Sequence, residues 1–233
     1  VARNKIAPEY ESVIVEAYQL DQNGQREEAL AMIEAALGNA PDSYDLTAMH
    51  TYLLVWFRDD WDRMELGRIE AERAIGINPD RPEAYYILGL HARFALDNRW
   101  LAVEHFTQAI DRSATDPATY AWRAWTNSDL GTPPEVVLAD FAAAVALDPE
   151  NYYWHEARAD YLFSIWRHGD AIPDLEFVIE VRPWRNYHGK LAIAYLQAER
   201  AEDALALYER NIESAEQEGD ARYLADGAFL ANW

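Results

Sequence analysis

The sequence predicts an all-α fold: about six helix-turn-helix repeats stacked as an α-solenoid and closed by a C-terminal capping helix. Three observations carry that expectation. Apolar residues recur at helical spacing in paired short stretches, as in Ala157, Tyr161 and Ile165 followed by Ala171, Leu175, Val178 and Ile179. The small or branched residue opening each second stretch recurs at Ala29, Gly67, Ala102, Val137, Ala171 and Ala204, in steps of 38, 35, 35, 34 and 33 residues. Pro41, Pro79, Pro149 and Pro183 close repeats, with Ala114 and Glu216 where two more prolines would fall. One helix pair cannot bury both its faces, so each pair needs neighbours of its own kind.

The repeats fall at roughly 8–41, 42–79, 80–114, 115–149, 150–183 and 184–217, as a single domain over 1–233. The first helix is expected from Ala7 to Gln22, stopped by Asn23-Gly24, and its partner from Gln25 to Leu37, ended by Gly38 and Pro41. Ser43 to Phe57 opens repeat two. About four extra residues follow between Arg58 and Glu65, read as a solvated turn or a helix extension, and Arg68 to Ile77 completes the repeat. The acids there lack the D-x-[DN]-x-[DN]-G order of a calcium loop. Repeat three starts at Arg81 and turns at Asp97-Asn98. Repeat four turns at Leu130 to Pro134, where Thr132 can cap and proline suits a first helical turn. In repeat five Pro173 lies inside the second helix, and its missing N–H should loosen the first turn. Repeat six runs to Gln217, and 219–231 is the expected capping helix, with Leu224, Ala228 and Ala231 as its apolar stripe.

Equivalent places extend through the set. Ile33, Ala71, Phe106, Phe141, Leu175 and Tyr208 lie four residues beyond the opening residues of the second helices. Ala17, Thr51, Gly89, Ala124, Ala159 and Ala192 share one place in the first helices, where small side chains let helices approach closely. On these residues the chain resembles the tetratricopeptide repeat family, whose 34-residue unit carries an aromatic, Leu-Gly, Tyr, Ala-x3-aromatic and Pro. Tyr85-x2-Leu88-Gly89 with Ala102-x3-Phe106 carries the pattern, as does Leu191-Ala192-x2-Tyr195 with Ala204-x3-Tyr208. His155 and His188 depart from it, replacing the first aromatic. The resemblance implies a right-handed superhelix whose first helices line a concave groove that takes an extended peptide or a partner helix.

Composition narrows the function. Half the residues are hydrophobic, enough for a sizeable core, and there is no cysteine, so disulfide and thiol chemistry are excluded. No uncharged apolar run approaches a membrane span. The net charge of −21 opposes binding to nucleic acid and anionic lipid and favours basic partners. Val1 fits a removed signal, a processed leader or a cut chain, so cytoplasmic and periplasmic placement both stay open. No HExxH, phosphate loop, G-x-S-x-G or cysteine nucleophile is present among the chain's motifs, and no cofactor or metal is expected.

Projecting the repeat phase onto the groove that the resemblance implies places Tyr18 and Asp21 there from repeat one, and Asp45, Tyr52 and Trp56 from repeat two. Tyr86, Arg93 and Phe94 come from repeat three, and Trp122, Trp125 and Asp129 from repeat four. Tyr153, Glu156, Asp160 and Phe163 come from repeat five, and Lys190 joins Arg93 as the only projected cations. Aromatics give rigid contact area and stack on basic side chains; carboxylates add charge-assisted bonds. The same residues could instead be packing between adjacent first helices. The leading expectation is a non-enzymatic scaffold that binds a basic, aromatic or apolar peptide or helix. The alternatives are a structural subunit of an assembly or homo-oligomer, and an envelope-associated binder of a small molecule or glycan. The oligomeric state stays open.

Overall fold

In the computed structural model, residues 7–183 and 187–218 are described, and the expected capping helix at 219–231 lies outside them. Among the described residues the secondary structure is helical throughout. Helices α1 (Pro8–Gln22) and α2 (Arg26–Asn39) form the first pair, α3 (Tyr44–Val55) and α4 (Trp61–Ile77) the second, and α5 (Glu83–Phe94) and α6 (Arg99–Asp111) the third. Helices α7 (Pro117–Asp129), α8 (Pro134–Leu147), α9 (Tyr152–Ser164), α10 (Ile172–Val181), α11 (His188–Gln197) and α12 (Ala201–Glu218) continue the order. The chain divides into two compact units, Val1–Val137 and Leu138–Trp233.

Local chemistry sets most of the helix ends. Ser43, Asp60, Asn98, Asp116 and Asn151 each place a side-chain oxygen on a backbone N–H of the following helix, satisfying one donor that the helix itself cannot. Pro8 and Pro117 sit in first turns, where a missing N–H costs nothing. Thr132 does not cap α8 with its hydroxyl, which bonds instead to Asn127 Oδ1 at 3.3 Å. Pro173 stands in the first turn of α10, behind a 3-10 turn at His168–Ala171, so the expected loosening takes that form.

Five of the six intra-repeat turns share one device. A residue with positive φ ends the first helix: Gly24 at 81°, Asp97 at 48°, Gly131 at 69°, Trp166 at 62° and Glu199 at 59°. The next backbone N–H then reaches back to a carbonyl in the last helical turn, as from Gln25 to Leu20, Thr132 to Asn127, Arg167 to Leu162 and Arg200 to Tyr195. Repeat two is the exception. Its turn spans 56–60, and its extra residues lengthen α4 to 17 residues, against 14 in α2 and 13 in α6.

In the first unit, Ile14, Ala17, Ala29, Ile33, Leu46 and Leu53 form one core, and Ala71, Ala74, Ile87, Leu90, Ala102 and Phe106 belong to a second. In the second unit Ala159, Leu162, Ala171, Leu175, Val178, Leu191 and Ala192 pack together. The repeated small position is buried at every occurrence. At Gly89 the need is absolute: a Cβ there would stand 2.4 Å from a carbon of the Phe106 ring. Phe106 is fully buried, which is worth roughly 2–3 kcal/mol. Another device recurs one turn earlier on the first helices. The Tyr85 hydroxyl donates to Pro79 O at 3.3 Å, and Tyr120 to Ala114 O at 3.4 Å. His155 takes the same place, with Nε2 3.0 Å from Pro149 O and Nδ1 2.7 Å from Asp174 Oδ1. Asp174, itself buried, also receives a two-pronged pair from Arg158 at 2.7 Å on each arm.

The glycines give a direct test. Gly89→Ala forces the Phe106 ring or α6 to move and should lower stability by about 1–3 kcal/mol in denaturant titration. Gly38→Ala, in α2 with nothing within 4 Å of the added carbon, should instead raise stability by about 0.5 kcal/mol.

Candidate functional site

The expected residues of the first unit converge on the face formed by its first helices, α1, α3, α5 and α7. Their rings make a connected chain. Tyr18 and Tyr52 lie 6.2 Å apart between centroids, Tyr52 and Trp56 6.4 Å, and Trp56 and Phe94 5.8 Å. Trp122 then meets Trp56 at 5.9 Å, Phe94 at 5.1 Å and Trp125 at 4.9 Å. Tyr86 is buried, and its ring meets Phe106 at 6.1 Å. Four successive first helices are therefore joined by ring contacts. Tyr18 is 49% exposed, while Tyr52, Trp56, Phe94, Trp122 and Trp125 are half-buried, so the chain of rings borders solvent and also packs one first helix on the next.

The expected carboxylates of this face are largely engaged by resident arginines. Asp21 is buried and pairs with Arg26 Nε at 2.5 Å, while Arg26 also donates to Trp56 O at 3.2 Å. Asp45 accepts from the Ala7 backbone N–H at 2.9 Å and forms an ion pair with Arg81, also at 2.9 Å. Arg81 is itself buried and makes a second pair with Glu83 at 2.8 Å. Asp129 holds Arg93 at 2.8 Å and Arg99 at 3.4 Å. The Asp45–Arg81 and Asp129 pairs stitch one repeat to the next, as does Arg26 through Trp56 O, and the partly buried pairs cannot lose one member cheaply. Arginine outnumbers lysine 18 to 2 in the chain, which suits forked contacts of this kind.

Asp116 is the acid on this side that the sequence reading missed. Its side chain caps α7, accepting from Ala118 N at 3.1 Å, and no cation pairs with it among the described residues. Asp116 is exposed at the start of α7, with neighbouring protein displacing part of the water around its carboxyl. That partial desolvation raises its carboxyl above the ordinary aspartate range, with the charge of Glu83 adding to the effect. Its own negative charge raises the phenols of Tyr18, Tyr52 and Tyr86, in each case behind burial as the main cause. An Asp-Pro pair marks a helix start in sequence, but nothing in that signal shows which surface the cap shares with three distant tyrosines.

In the second unit, Asp160 bonds Lys190 Nζ at 2.6 Å, and that ammonium stands 5.9 Å from the Phe163 ring and 5.3 Å from Tyr187. Tyr153 is 45% exposed and meets Trp154 edge-on at 5.0 Å. Glu156 Oε2 is buried and has no hydrogen-bond partner among the described residues. The histidines do not gather. His50 lies between Glu70 and Glu34, His91 is 3.4 Å from Glu65, and His168 stacks on Phe163 at 4.3 Å. Among the described residues no set of three or more His, Asp or Glu is placed to hold a metal ion, and no helix is long and apolar enough to cross a membrane.

The sequence profile of the bacterial transcriptional activator domain family matches residues 90–220. A Hsp70-Hsp90 organizing protein of Triticum aestivum is 34% identical over 79 residues, which is 34% of this chain and 14% of that one. Among solved structures, a thermophilic TPR protein of Thermus thermophilus superposes with a TM-score of 0.64 at 16% identity, over 80% of this chain and 98% of its own. YrrB, a TPR protein with an unusual peptide-binding site, superposes with a TM-score of 0.58 at 15% identity, over 83% of this chain and 96% of its own. The fold is thus that of the tetratricopeptide repeat, as the recurring residues predict.

Asp116 allows a stability test with a worked sign. Its folded-state pKa lies above the unfolded value, so its contribution to stability is full below about 3.9 and is lost as pH rises through the folded value. Asn caps a helix as well as Asp does. Asp116→Asn should therefore melt higher than the parent at pH 7, and the difference should shrink to nothing as the pH is lowered below the usual aspartate range.

Proposed function

The chain belongs to the bacterial transcriptional activator domain family, and on that premise we propose that it is a non-enzymatic, protein-contacting module. Its first-helix face in the first unit holds an extended, basic segment of a partner protein. The observation that carries this reading is the chain of six rings, Tyr18, Tyr52, Trp56, Phe94, Trp122 and Trp125, with Asp116, unpaired among the described residues, acting by its charge on Tyr18 and Tyr52. Aromatic rings supply desolvated contact area with little entropy to lose, and a carboxylate without a resident cation gains a charge-assisted bond when one arrives. Trp56 Nε1–H and Arg93 Nε–H are buried donors without an acceptor among the described residues. Backbone carbonyls of an extended peptide are acceptors of the matching kind. The net charge of −21 supports a basic partner and opposes direct contact with nucleic acid. YrrB, a protein of the same fold with an unusual peptide-binding site, lends the reading support.

A second reading, a subunit of an assembly contacting through second helices, is favoured by one observation. Helix α4 exposes Trp61, Leu66 and Ile69, and Trp100 on α6 is 73% exposed. Concentration-dependent association measured by sedimentation, removed by Trp100→Ser and Ile69→Ser together, would support it; a monomer at all concentrations would oppose it.

The main test uses a synthetic eight-residue peptide of arginine and phenylalanine, titrated against the tryptophan fluorescence at low and high salt. The parent should bind and weaken with salt. Asp116→Asn, which keeps the cap, should bind about 10-fold more weakly, a loss of about 1.4 kcal/mol. Equal binding by that variant, or no binding by the parent, would overturn the assignment.

A further inference from the structure

Two arginines of the first unit, Arg58 and Arg112, lie on rings without a carboxylate partner among the described residues, but Arg112, 3.8 Å from the Tyr85 ring, is tied to the backbone carbonyls of Pro79 and Gln108. Arg63, Arg68, Arg73, Arg81, Arg93 and Arg99 each pair with an Asp or Glu carboxylate. Arg58 does not, among the described residues, although Asp59, Asp60 and Asp62 follow it closely in the chain. It is exposed on the 56–60 turn of repeat two, and its guanidinium carbon lies 4.1 Å from the centre of the Phe94 ring. An arginine surrounded by local acids that settles on a ring instead marks a favourable place for a guanidinium. The reason is in the surroundings. Phe94 is half-buried, touches Trp56 at 5.8 Å and Trp122 at 5.1 Å, and stands in the field of a strongly acidic chain. Ring quadrupole, low local polarity and negative charge all favour a cation there. Arg93 is drawn to the same rings, 5.7 Å from Phe94 and 5.6 Å from Trp122, but it is fixed by Asp129 and Thr126. Arg58 has no such tether.

We propose that the Phe94 ring, walled by Trp56 and Trp122, is a subsite for an arginine side chain of the partner segment, and that Arg58 is its resident stand-in, which the incoming arginine displaces. This rests on the peptide-binding reading above and names one side chain of that ligand. It also accounts for the extra residues of repeat two: they carry Arg58 and replace the tight turn used by the five other repeats, so the side chain that covers the ring sits on a segment free of that constraint.

A stand-in competes with the ligand, so removing it should help binding. With the same arginine-phenylalanine octapeptide, Arg58→Ala should bind about 3- to 10-fold more tightly than the parent. Phe94→Leu keeps apolar bulk without a π face and should bind more weakly. In the Arg58→Ala/Phe94→Leu double variant the gain from removing Arg58 should vanish, because the subsite itself is gone. A lysine-for-arginine version of the peptide should gain less from Arg58→Ala. Circular dichroism and melting of each variant check that the fold is kept. Binding by the parent with no gain, or a loss, in Arg58→Ala would overturn the stand-in while leaving the peptide-binding reading intact. Absence of binding by the parent and by Arg58→Ala alike would overturn both.

Discussion

The structure depends on how closely a second helix can approach the first. Ala17, Thr51, Gly89, Ala124, Ala159 and Ala192 hold that distance down, and the Phe106 ring lies where a side chain on Gly89 would otherwise be. Close approach fixes the rotation of each first helix against its partner. That rotation decides which residues point away from the core. Tyr18 and Tyr52 directly follow small residues, Ala17 and Thr51, and Trp125 directly follows Ala124. Their shared direction is a consequence of the packing contact, since neighbours on a helix differ by about 100°. The candidate surface is thus positioned by residues that never touch it.

Charge is then distributed over that frame with a consistent logic. The chain is strongly acidic, yet the acids that face its first helices are mostly taken by resident arginines. Asp21 holds Arg26 within repeat one, while Asp45 and Asp129 hold Arg81 and Arg93 across repeat boundaries. Asp116 is different, lacking a cation among the described residues and holding a raised carboxyl pKa. A residue whose ionisation works against folding, and which an uncharged capping residue could replace, fits the general pattern in which stability is given up at a functional position.

Repeat phase, core positions and the small-residue contact were legible from the sequence, because each repeats at a fixed interval and six occurrences outvote one irregularity. The identity of the first-helix face was legible for the same reason. What lay beyond reading was the pairing state of that face. Asp21 and Asp129 are exposed-type residues in sequence, and only the approach of Arg26 and Arg93 from other positions shows that they are occupied. Asp116 was invisible because a helix cap is read locally, while the tyrosines its charge acts on, Tyr18, Tyr52 and Tyr86, lie in three other repeats. His155 replaces the first aromatic of its repeat, and the structure supplies the reason: it takes the part of Tyr85 and Tyr120 on a backbone carbonyl six residues back.

The preference for forked cations has a consequence for covalent mapping of whatever this protein holds. Lysine amines are nearly absent: one of the two, Lys190, is bonded to Asp160, and the described part of the first unit contains none. Reagents that bridge amine to amine would therefore leave its ring-lined face silent even with a ligand in place. Carbodiimide coupling, which joins a carboxylate to an amine without a spacer, draws on what the surface has in abundance, and a lysine-bearing ligand would supply the other half of the bond.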